Sequence, residues 1–546
     1  MIPSQNQFWF LPLGGSGEIG MNLNLYGYNK QWLMVDLGVT FSDRFGIDII
    51  SPDPSFIVKH KDLLKGIVLT HAHEDHLGAV PYLWQRLQTP VYATPFTAEI
   101  LKGKLAEFSF GKDVPIIEIP LEGRFKVGDF ELEYVTLTHS IPEPNAILVS
   151  TPLGKVFHTG DWKIDPTPLV GEPTNEKRLK EIGQENILAM VCDSTNVFTE
   201  GVSGSEDHVR TELMEVIGRH TRTRMAVCCF ASNIARIQTI MMAAKHYGRK
   251  VCLLGRSMQK MVDAAQKVGY LNNLPDIVDD KTAMSLPRDK VLMIMTGSQG
   301  EPRSALTRIA FRQHPTVFLD EGDVVLFSSR VIPGNEKAIT ALQNALALRD
   351  ITTITSHEED IHVSGHPSRD ELKQMYEWVK PQTLIPVHGE HKHLREHGKF
   401  GKECGIKNIV VPKNGTLIDL LNPHIIDEVP VGRLGYDGKR MIALDGLIIK
   451  DRVHTSINGV VSVAILFDQK GNLKGQARIM LKGITQEGDE TKNALIGIQR
   501  IVQQTSQALK NKWSDLDHQL FRNIRGYFKT QLNKKPVVLL HIIKGE

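Results

Sequence analysis

Between Phe8 and about Val197, short apolar runs alternate with Gly, Pro and Asp turns. Residues 32–36, 66–70, 130–137 and 155–158 have the length and the Val, Phe and Tyr content of strands. Each ends in, or runs into, a polar residue, so chemistry-bearing groups are expected at strand ends. From about Glu206 to His357 the rhythm changes. Residues 225–230 read as a buried strand, 233–247 as a helix stopped by Gly248, and 250–254 as a second strand. That is a βαβ unit, and it predicts parallel strands. Residues 291–295 and 324–327 extend the same sheet and 335–348 form another helix, which predicts a separate α/β domain. A helix over 369–379 and a strand over 383–387 follow. In the tail, 460–467, 477–481 and 537–543 read as strands. Between them Leu495, Ile498, Val502, Thr505 and Leu509 recur at helical spacing, and a second helix follows.

Length sharpens the domain picture: 546 residues are too many for one core, and about two to four domains are expected. The composition, 41% hydrophobic and 23% charged, is that of an ordinary globular protein. Lys and Arg (64) nearly balance Asp and Glu (62), so net charge neither demands nor excludes a nucleic-acid partner. Basic charge is local: residues 492–535 hold nine Lys or Arg and two Asp, which fits either a solvated helical face or RNA contact. The N-terminal stretch MIPSQNQFWFLPLGG lacks the charged region and long apolar run of a secretory signal. No run approaches the ~18 apolar residues of a membrane span. Cys192, Cys228, Cys229, Cys252 and Cys404 are odd in number and sit mostly in strand-like runs, the usage of buried free thiols. A cytoplasmic protein with no membrane association is expected.

Candidate chemistry concentrates at residues 70–79, Thr-His-Ala-His-Glu-Asp-His-Leu-Gly-Ala. His71 and His73 lie two apart at the mouth of a strand, so both can face one side. Asp75 and His76 follow where a helix is expected to begin. Neutral imidazole and carboxylate oxygen are ligands that zinc accepts, and Mn²⁺ accepts them with a harder preference. Other strand ends supply more, since His139, Asp161 and His388 each close an apolar run. Such a set can hold two ions close together, with a carboxylate such as Asp161 bridging them. Two metals suit phosphodiester hydrolysis, by acidifying a water and spreading the charge that grows on phosphorus.

The pattern His-x-His-x-Asp-His with a later His and Asp resembles the metallo-β-lactamase superfamily, and the α/β segment between Asp161 and His388 resembles its β-CASP branch. Further motifs are similar to those of the bacterial ribonuclease J family, in order along nearly the whole chain. They are Gly15-Ser-Gly-Glu-Ile-Gly20, Cys192-Asp-Ser-Thr-Asn196, Thr296-Gly-Ser-Gln-Gly-Glu-Pro302, Ile332-Pro-Gly-Asn-Glu336, His362-Val-Ser-Gly-His366 and Pro386-Val-His-Gly-Glu390. The resemblance implies an α/β fold: a metallo-β-lactamase αββα sandwich with an inserted α/β β-CASP domain and a small α+β C-terminal domain. On it the sandwich takes 1–205 and 358–430, the β-CASP domain 206–357, a linker 431–454 and the C-terminal domain 455–546.

The resemblance also implies roles. The first metal takes His71, His73 and His139, the second Asp75, His76 and His388, with Asp161 between them. Asp36 orients a ligand imidazole, although an acid at this position is also a common strand-end turn residue. His366 gives a proton to the departing 3′ oxygen and Asp193 orients it, an adjacent carboxylate favouring the imidazolium. Ser232 and Asn233 open a helix, where backbone N–H groups favour phosphate; Ser-Asn is equally a helix cap. With His362, Val363, Ser364, Gly365 and His366 they are expected to grip substrate phosphates. Gly46, Asp48 and Asp445 are implied as calcium ligands. Expected cofactors are two Zn²⁺, with Mn²⁺ or Mg²⁺ as substitutes, and a Ca²⁺. Implied partners are single-stranded RNA, RNA-decay proteins, and further copies in a homodimer or homotetramer built through the C-terminal domain.

The expected activity is that of a dimetal-dependent ribonuclease in mRNA decay and rRNA maturation, a 5′-to-3′ exonuclease preferring 5′-monophosphate ends with endonuclease activity besides. The end preference follows from Ser232, Asn233 and the backbone of 363–365 as short neutral donors. They suffice for a monophosphate, whereas a triphosphate adds charge and bulk that such a pocket excludes. Two alternatives stay open. A β-CASP nuclease acting on DNA is one, because metal chemistry barely distinguishes the sugars. The other is a catalytically silent RNA-binding subunit, which the presence of every expected ligand argues against.

Overall fold

The computed structural model describes residues 1–272, 274–510 and 512–545. Among them, the strand-length runs of the first part pair into two sheets. Eight strands form the first, ordered His424–Glu428, Thr416–Asp419, Phe8–Gly14, Leu23–Tyr28, Gln31–Val35, Leu64–Val68, Val91–Ala93, Ile116–Glu118. Seven form the second, ordered Arg124–Val127, Phe130–Thr136, Asn145–Thr151, Gly154–His158, Ile187–Asp193, Thr383–Val387, Asn408–Ile409. Alternation of side chains decides how they stack. Along Asn145–Thr151, Ile147 and Val149 enter a core shared with Phe8, Phe10, Tyr26, Leu33 and Val35 of the first sheet. Ala146 and Leu148, one position on, enter a second core with the helix residues Leu179, Ile182, Leu372, Met375 and Trp378. One face of this sheet buries against the other sheet and the opposite face against helices, which is the αββα layering.

Parallel pairing fixes where the strand ends go. Gly154–His158, Ile187–Asp193 and Thr383–Val387 run parallel, with His158 opposite Val191 and Asp193 opposite Val387. Gln31–Val35 and Leu64–Val68 are likewise parallel, Val35 opposite Val68. Asp36, His71, Asp161, Asp193 and His388 follow or close these carboxyl ends and come together there, where parallel sheets gather function. Two stand in left-handed backbone, Asp36 at φ 63° and His388 at φ 52°. Such conformations cost non-glycine residues about 1–3 kcal/mol and persist where contacts over-determine them.

The described residues of the insertion form a five-stranded parallel sheet, ordered Lys250–Leu254, Val291–Met295, Met225–Cys228, Val324–Phe327, Thr352–Thr355. The βαβ unit is present around the helix Ile234–His246, but its two strands are not neighbours: Val291–Met295 lies between them. A crossover helix fixes strand direction, not adjacency.

Ser42–Asp48 and Arg433–Glu546 form a second compact unit. Residues 431–454, expected to be a linker, instead carry the antiparallel strands Arg433–Asp437 and Arg440–Ala443 and the start of the helix Leu447–Asn458. The two-residue turn between the strands is Gly438-Lys439, with Gly438 at φ 65°, a tight-hairpin signature. Only Leu434 and Ile442 are buried apolar side chains in this hairpin, too few for a period of two to show. Farther on, Val460–Phe467 pairs antiparallel with Arg478–Lys482 and parallel with Val537–Lys544. The helices Asp489–Ala508 and Trp513–Leu532 cover one face through Ile498, Val502, Leu520, Ile524 and Phe528. The apolar stripe at helical spacing is therefore this unit's own core.

Among the described residues no helix is long and apolar enough to cross a membrane. Cys192, Cys228, Cys229 and Cys252 are buried free thiols, and Cys404 is a half-buried one.

Candidate active site

Just past Leu64–Val68 the chain folds into the short helix Glu74–Leu77, which brings four ligands, three imidazoles and a carboxylate, to one edge within six residues. His71, His73, His139 and Asp161 present donor atoms within 4.8 Å of one another, and so do Asp75, His76, Asp161 and His388. Asp161 is common to both groups. Its Oδ2 lies 3.2 Å from His76 Nε2, 3.4 Å from His388 Nε2 and 4.0 Å from His139 Nε2. Its Oδ1 is buried and has no hydrogen-bond partner. His388 Nε2 and His76 Nε2 stand 3.6 and 3.7 Å from Asp75 Oδ2.

The partner of one ring nitrogen decides what the other can offer. Asp36 Oδ2 takes the proton of His76 Nδ1 at 2.7 Å, so His76 Nε2 faces the acids. Asp36 also accepts from Thr70 N and Thr70 Oγ1, each at 2.8 Å. With its proton committed, Thr70 Oγ1 accepts from His71 Nδ1 at 2.9 Å. The carbonyl of Gly365 can only accept, so His139 Nδ1 donates to it. A Cβ at Gly365 would stand 2.8 Å from His139 Cε1, so glycine is what permits this approach. His73 Nε2 meets Ser232 Oγ at 3.1 Å, and His388 Nδ1 lies against the Asn22 amide, 2.8 Å from Nδ2 and 3.1 Å from Oδ1.

The remaining nitrogens of the first group then face one another. His73 Nδ1 is 3.1 Å from both His71 Nε2 and His139 Nε2. Burial pushes His71 and His139 well below the usual histidine range and His73 to about 4, so all three rings are neutral at neutral pH. Three lone pairs converging on one point repel unless a cation lies between them. At His76 burial is outweighed by Asp161, Asp75 and Asp36, which raise its pKa, so an ion there takes the place of a proton. Burial also opposes ionisation of Asp161, but His388 and His76 outweigh it and hold the carboxyl well below the usual range. With the orphaned Asp161 oxygen, this donor set fits two divalent ions: a tris-imidazole position and an Asp75/His76/His388 position, bridged by Asp161.

Beside these, His366 Nδ1 lies 2.8 Å from Asp193 Oδ2 and 3.9 Å from Asp161 Oδ2. Burial would lower its pKa, but the carboxylates of Asp193 and Asp161 outweigh it and raise the imidazole to about 9. Asp193 is fixed in turn by Thr195, whose N and Oγ1 donate to Oδ1 at 2.8 and 2.7 Å. Asn196 Nδ2 donates to Ser364 Oγ at 2.7 Å and to His366 O at 3.1 Å, which braces the 362–366 loop.

Other expected site residues fare differently. Asn233 is buried and bonded at both ends of its amide: Oδ1 accepts from Arg236 N at 2.9 Å and Nδ2 donates to Glu206 Oε1 at 3.0 Å. It caps the helix Ile234–His246. Ser232, after accepting from His73, still has its own proton to give. The Nδ1 of His362 is buried without a partner, and burial drives that ring to about 3. Val363 packs over Gly204, where a Cβ would stand 2.9 Å from its Cγ1. Asp48 and Asp445 are exposed, and among the described residues no group of three or more such ligands includes either. At the Gly46 turn, Arg452 Nη1 of the helix Leu447–Asn458 donates to Phe45 O at 3.0 Å. Two residues the sequence does not single out belong to the site. Thr70 has one weak signal, its place directly before His71. Asn22 has none, yet its Nδ2 donates to Asp75 O at 3.1 Å while its amide lies against His388.

Comparison with known proteins agrees with this geometry. Four family models match: the metallo-β-lactamase superfamily over residues 22–173, the ribonuclease J β-CASP domain over 222–346, the Zn-dependent metallo-hydrolase RNA specificity domain over 356–412, and the ribonuclease J C-terminal domain over 447–545. The ribonuclease J of Sinorhizobium meliloti is 43% identical, over 98% of this chain and 97% of its own. That of Corynebacterium glutamicum is 34% identical over 97% of this chain and 75% of its own. That of Thermus thermophilus is 32% identical over 99% and 96%. A crystal structure of a protein of unknown function from Enterococcus faecalis V583 shares the fold at 16% identity and a TM-score of 0.54, over 76% of this chain and 100% of that one. With the relatedness running end to end and the ligand set assembled at the sandwich edge, the chain belongs to the ribonuclease J family.

Proposed function

We propose that this chain is a zinc-using, dimetal-dependent ribonuclease that hydrolyses RNA phosphodiesters. It degrades RNA 5′-to-3′ from 5′-monophosphate ends and also cuts internally, in mRNA decay and rRNA maturation in the cytoplasm. The observation that carries this reading is that one carboxylate, Asp161, touches both ligand groups and lies 3.9 Å from the His366–Asp193 pair. Zinc is supported by the tris-imidazole position; the second, richer in carboxylate, also accepts Mn²⁺ or Mg²⁺. Bound here, divalent ions supply acidity to a water nucleophile and positive charge to the reacting phosphate.

The chain's own residues do the rest. Asp36, Thr70 and Gly365 hold His76, His71 and His139 in fixed tautomers, and the Asn22 amide packs against His388. Asp193 keeps His366 protonated, and the other ring nitrogen delivers its proton to the departing 3′ oxygen. With Asp161 engaged as a metal ligand, Asp193 would be the main support of the imidazolium. Ser232 Oγ gives its proton to a substrate phosphate oxygen, with backbone donors of 363–365 beside it. Short neutral donors accommodate a monophosphate and exclude the charge and bulk of a triphosphate.

Self-association as a homodimer or homotetramer through the C-terminal unit is supported by the outer face of its sheet. Leu466 pairs with Ile543, Ser462 with both Met480 and Leu539, and all four apolar side chains are exposed. Cytoplasmic residence fits five free thiols.

The test is degradation of matched 5′-monophosphate and 5′-triphosphate RNAs by the metal-loaded protein, the first being consumed faster and internal cuts less affected. Equal exonuclease rates would reject the 5′ pocket and leave an endonuclease. Equal cleavage of a matched DNA oligomer would reject the RNA preference. No hydrolysis with two ions bound would make the chain an RNA-binding subunit.

A further inference from the structure

Two ligands of the tris-imidazole position are held from outside the sandwich core. His73 Nε2 meets Ser232 Oγ, on the β-CASP insertion, and His139 Nδ1 donates to Gly365 O, on the segment where the chain returns from it. The second position is supported differently. His76 takes its partner from Asp36, and Asn22 serves both His388 Nδ1 and Asp75 O. None of these partners belongs to the insertion.

One guanidinium ties the two outside contacts together. Arg236, one helical turn after Ser232, is 1% exposed. Its Nε and Nη2 donate to Glu206 Oε2 and Oε1 at 3.1 and 2.9 Å. Its Nη1 donates to Ser328 O at 3.1 Å, Ser328 Oγ at 2.6 Å and Ile361 O at 3.0 Å. Asn233, next to Ser232, bonds the same Glu206 carboxylate. The helix that enters the insertion, the end of a central strand, the Ser232 loop and the segment leading to Gly365 are thus keyed to a single side chain. A buried, fully bonded Arg–carboxylate fork gives little net stability and much geometric definition.

We propose that Ser232 and Arg236 are positioning residues that make the His71/His73/His139 metal position conditional on seating of the β-CASP insertion, while the Asp75/His76/His388 position is independent of it. The inference rests on the dimetal reading above. With the insertion seated, Ser232 and Gly365 O hold His73 and His139 in the tautomer and orientation that aim their lone pairs at His71. Without it, two of the three imidazoles lose the partner that orients them. Because Ser232 also faces the substrate phosphate, an RNA end that orders this loop and an ion at the first position strengthen each other's binding. At limiting metal the free protein therefore fills the Asp75/His76/His388 position first, and an RNA end tightens the other.

The test is a Zn²⁺ titration of the metal-stripped full chain against a chromophoric chelator. Wild type should bind two ions per chain. Ser232→Ala should weaken one of them roughly 10–100-fold, the usual worth of a partner that orients a ligand, and Ser232→Thr, which keeps the hydroxyl, should restore it. Arg236→Lys keeps the charge, loses the fork, and should weaken the same ion. Asn22→Ala should weaken the other, so that Ser232→Ala/Asn22→Ala weakens both. A wild type binding fewer than two ions would reject the dimetal reading itself. Two ions in the wild type, with Ser232→Ala changing neither or both alike, would overturn the inference, as would one ion staying tight in the double variant. If Arg236→Lys does not fold, the Ser232 variants decide alone.

Discussion

Asp36 Oδ2 accepts the Nδ1 proton of His76 at 2.7 Å, and the same carboxylate takes both donors of Thr70, whose hydroxyl accepts from His71. One buried acid therefore fixes the tautomer of a ligand in each metal position. Asp36→Asn keeps the volume but substitutes a neutral amide for an acceptor that serves three donors. Both ions should weaken, by roughly 10–100-fold each, in a chelator competition. A variant that loses affinity at one position alone would show that the Thr70 link to His71 carries no weight.

His366 can be separated from the ligands although it stands within reach of Asp161, Asp193 and His388. Its Nδ1 is taken by Asp193 at 2.8 Å, so His366→Ala should retain two ions and slow cleavage by roughly 10²–10⁴-fold. Loss of an ion with the histidine would make it a ligand.

The charge of Asp193 predicts a pH effect. The donating form is the imidazolium, present below the pKa of His366 and lost as pH rises through it. Asp193 and Asp161 raise that pKa to about 9 against the effect of burial. Asp193→Asn removes the nearer carboxylate, so the alkaline fall in cleavage rate should move to lower pH, with little change on the acid side. A pH–rate profile unmoved by Asp193→Asn would exclude His366 as the acid.

These residues are legible in the sequence for a physical reason. An apolar run that stops at a histidine or acid marks the end of a strand, and parallel strands carry their ends to one edge. His71, Asp161 and His388 could be read that way one run at a time. Asn22 could not, because a buried amide between two imidazoles looks like any polar residue near a turn until Phe8–Gly14, Leu23–Tyr28 and Leu64–Val68 are in one sheet. Asn233 shows the opposite limit. Ser-Asn before a helix reads equally as phosphate site and cap, and the choice was made by Glu206, twenty-seven positions away, which takes its amide. Helical spacing has a similar blind side: it shows that Ile498 and Val502 are buried, not what buries them.

That last distinction can be measured. Ile498 is fully buried in the C-terminal core, so Ile498→Ala should cost this unit about 2–5 kcal/mol, seen as an earlier melt of the unit with metal content unchanged. Met480 is 57% exposed on the opposite sheet face. Met480→Lys should leave the melt in place and lower the particle mass in light scattering. Dissociation by Ile498→Ala at an unchanged melting temperature would make the helix stripe the interface.

Asp161 allows the sharpest separation of binding from folding. Its Oδ2 approaches His76, His388 and His139, and its buried Oδ1 has no partner. In the metal-free protein such an oxygen is a desolvated acceptor with nothing to accept. An ion that satisfies it binds only the folded state, so metal should stabilise the wild type by RT ln(1 + [L]/Kd), about 2.7 kcal/mol at a hundredfold excess over Kd. Asp161→Ala removes the ligand common to both positions. Its melting temperature should not respond to Zn²⁺ over the range that raises the wild type's, and cleavage should be lost with the metal. His73→Ala removes a ligand from one position only and should keep part of the shift. An equal, full metal response in Asp161→Ala would mean that the two positions are not joined through this carboxylate.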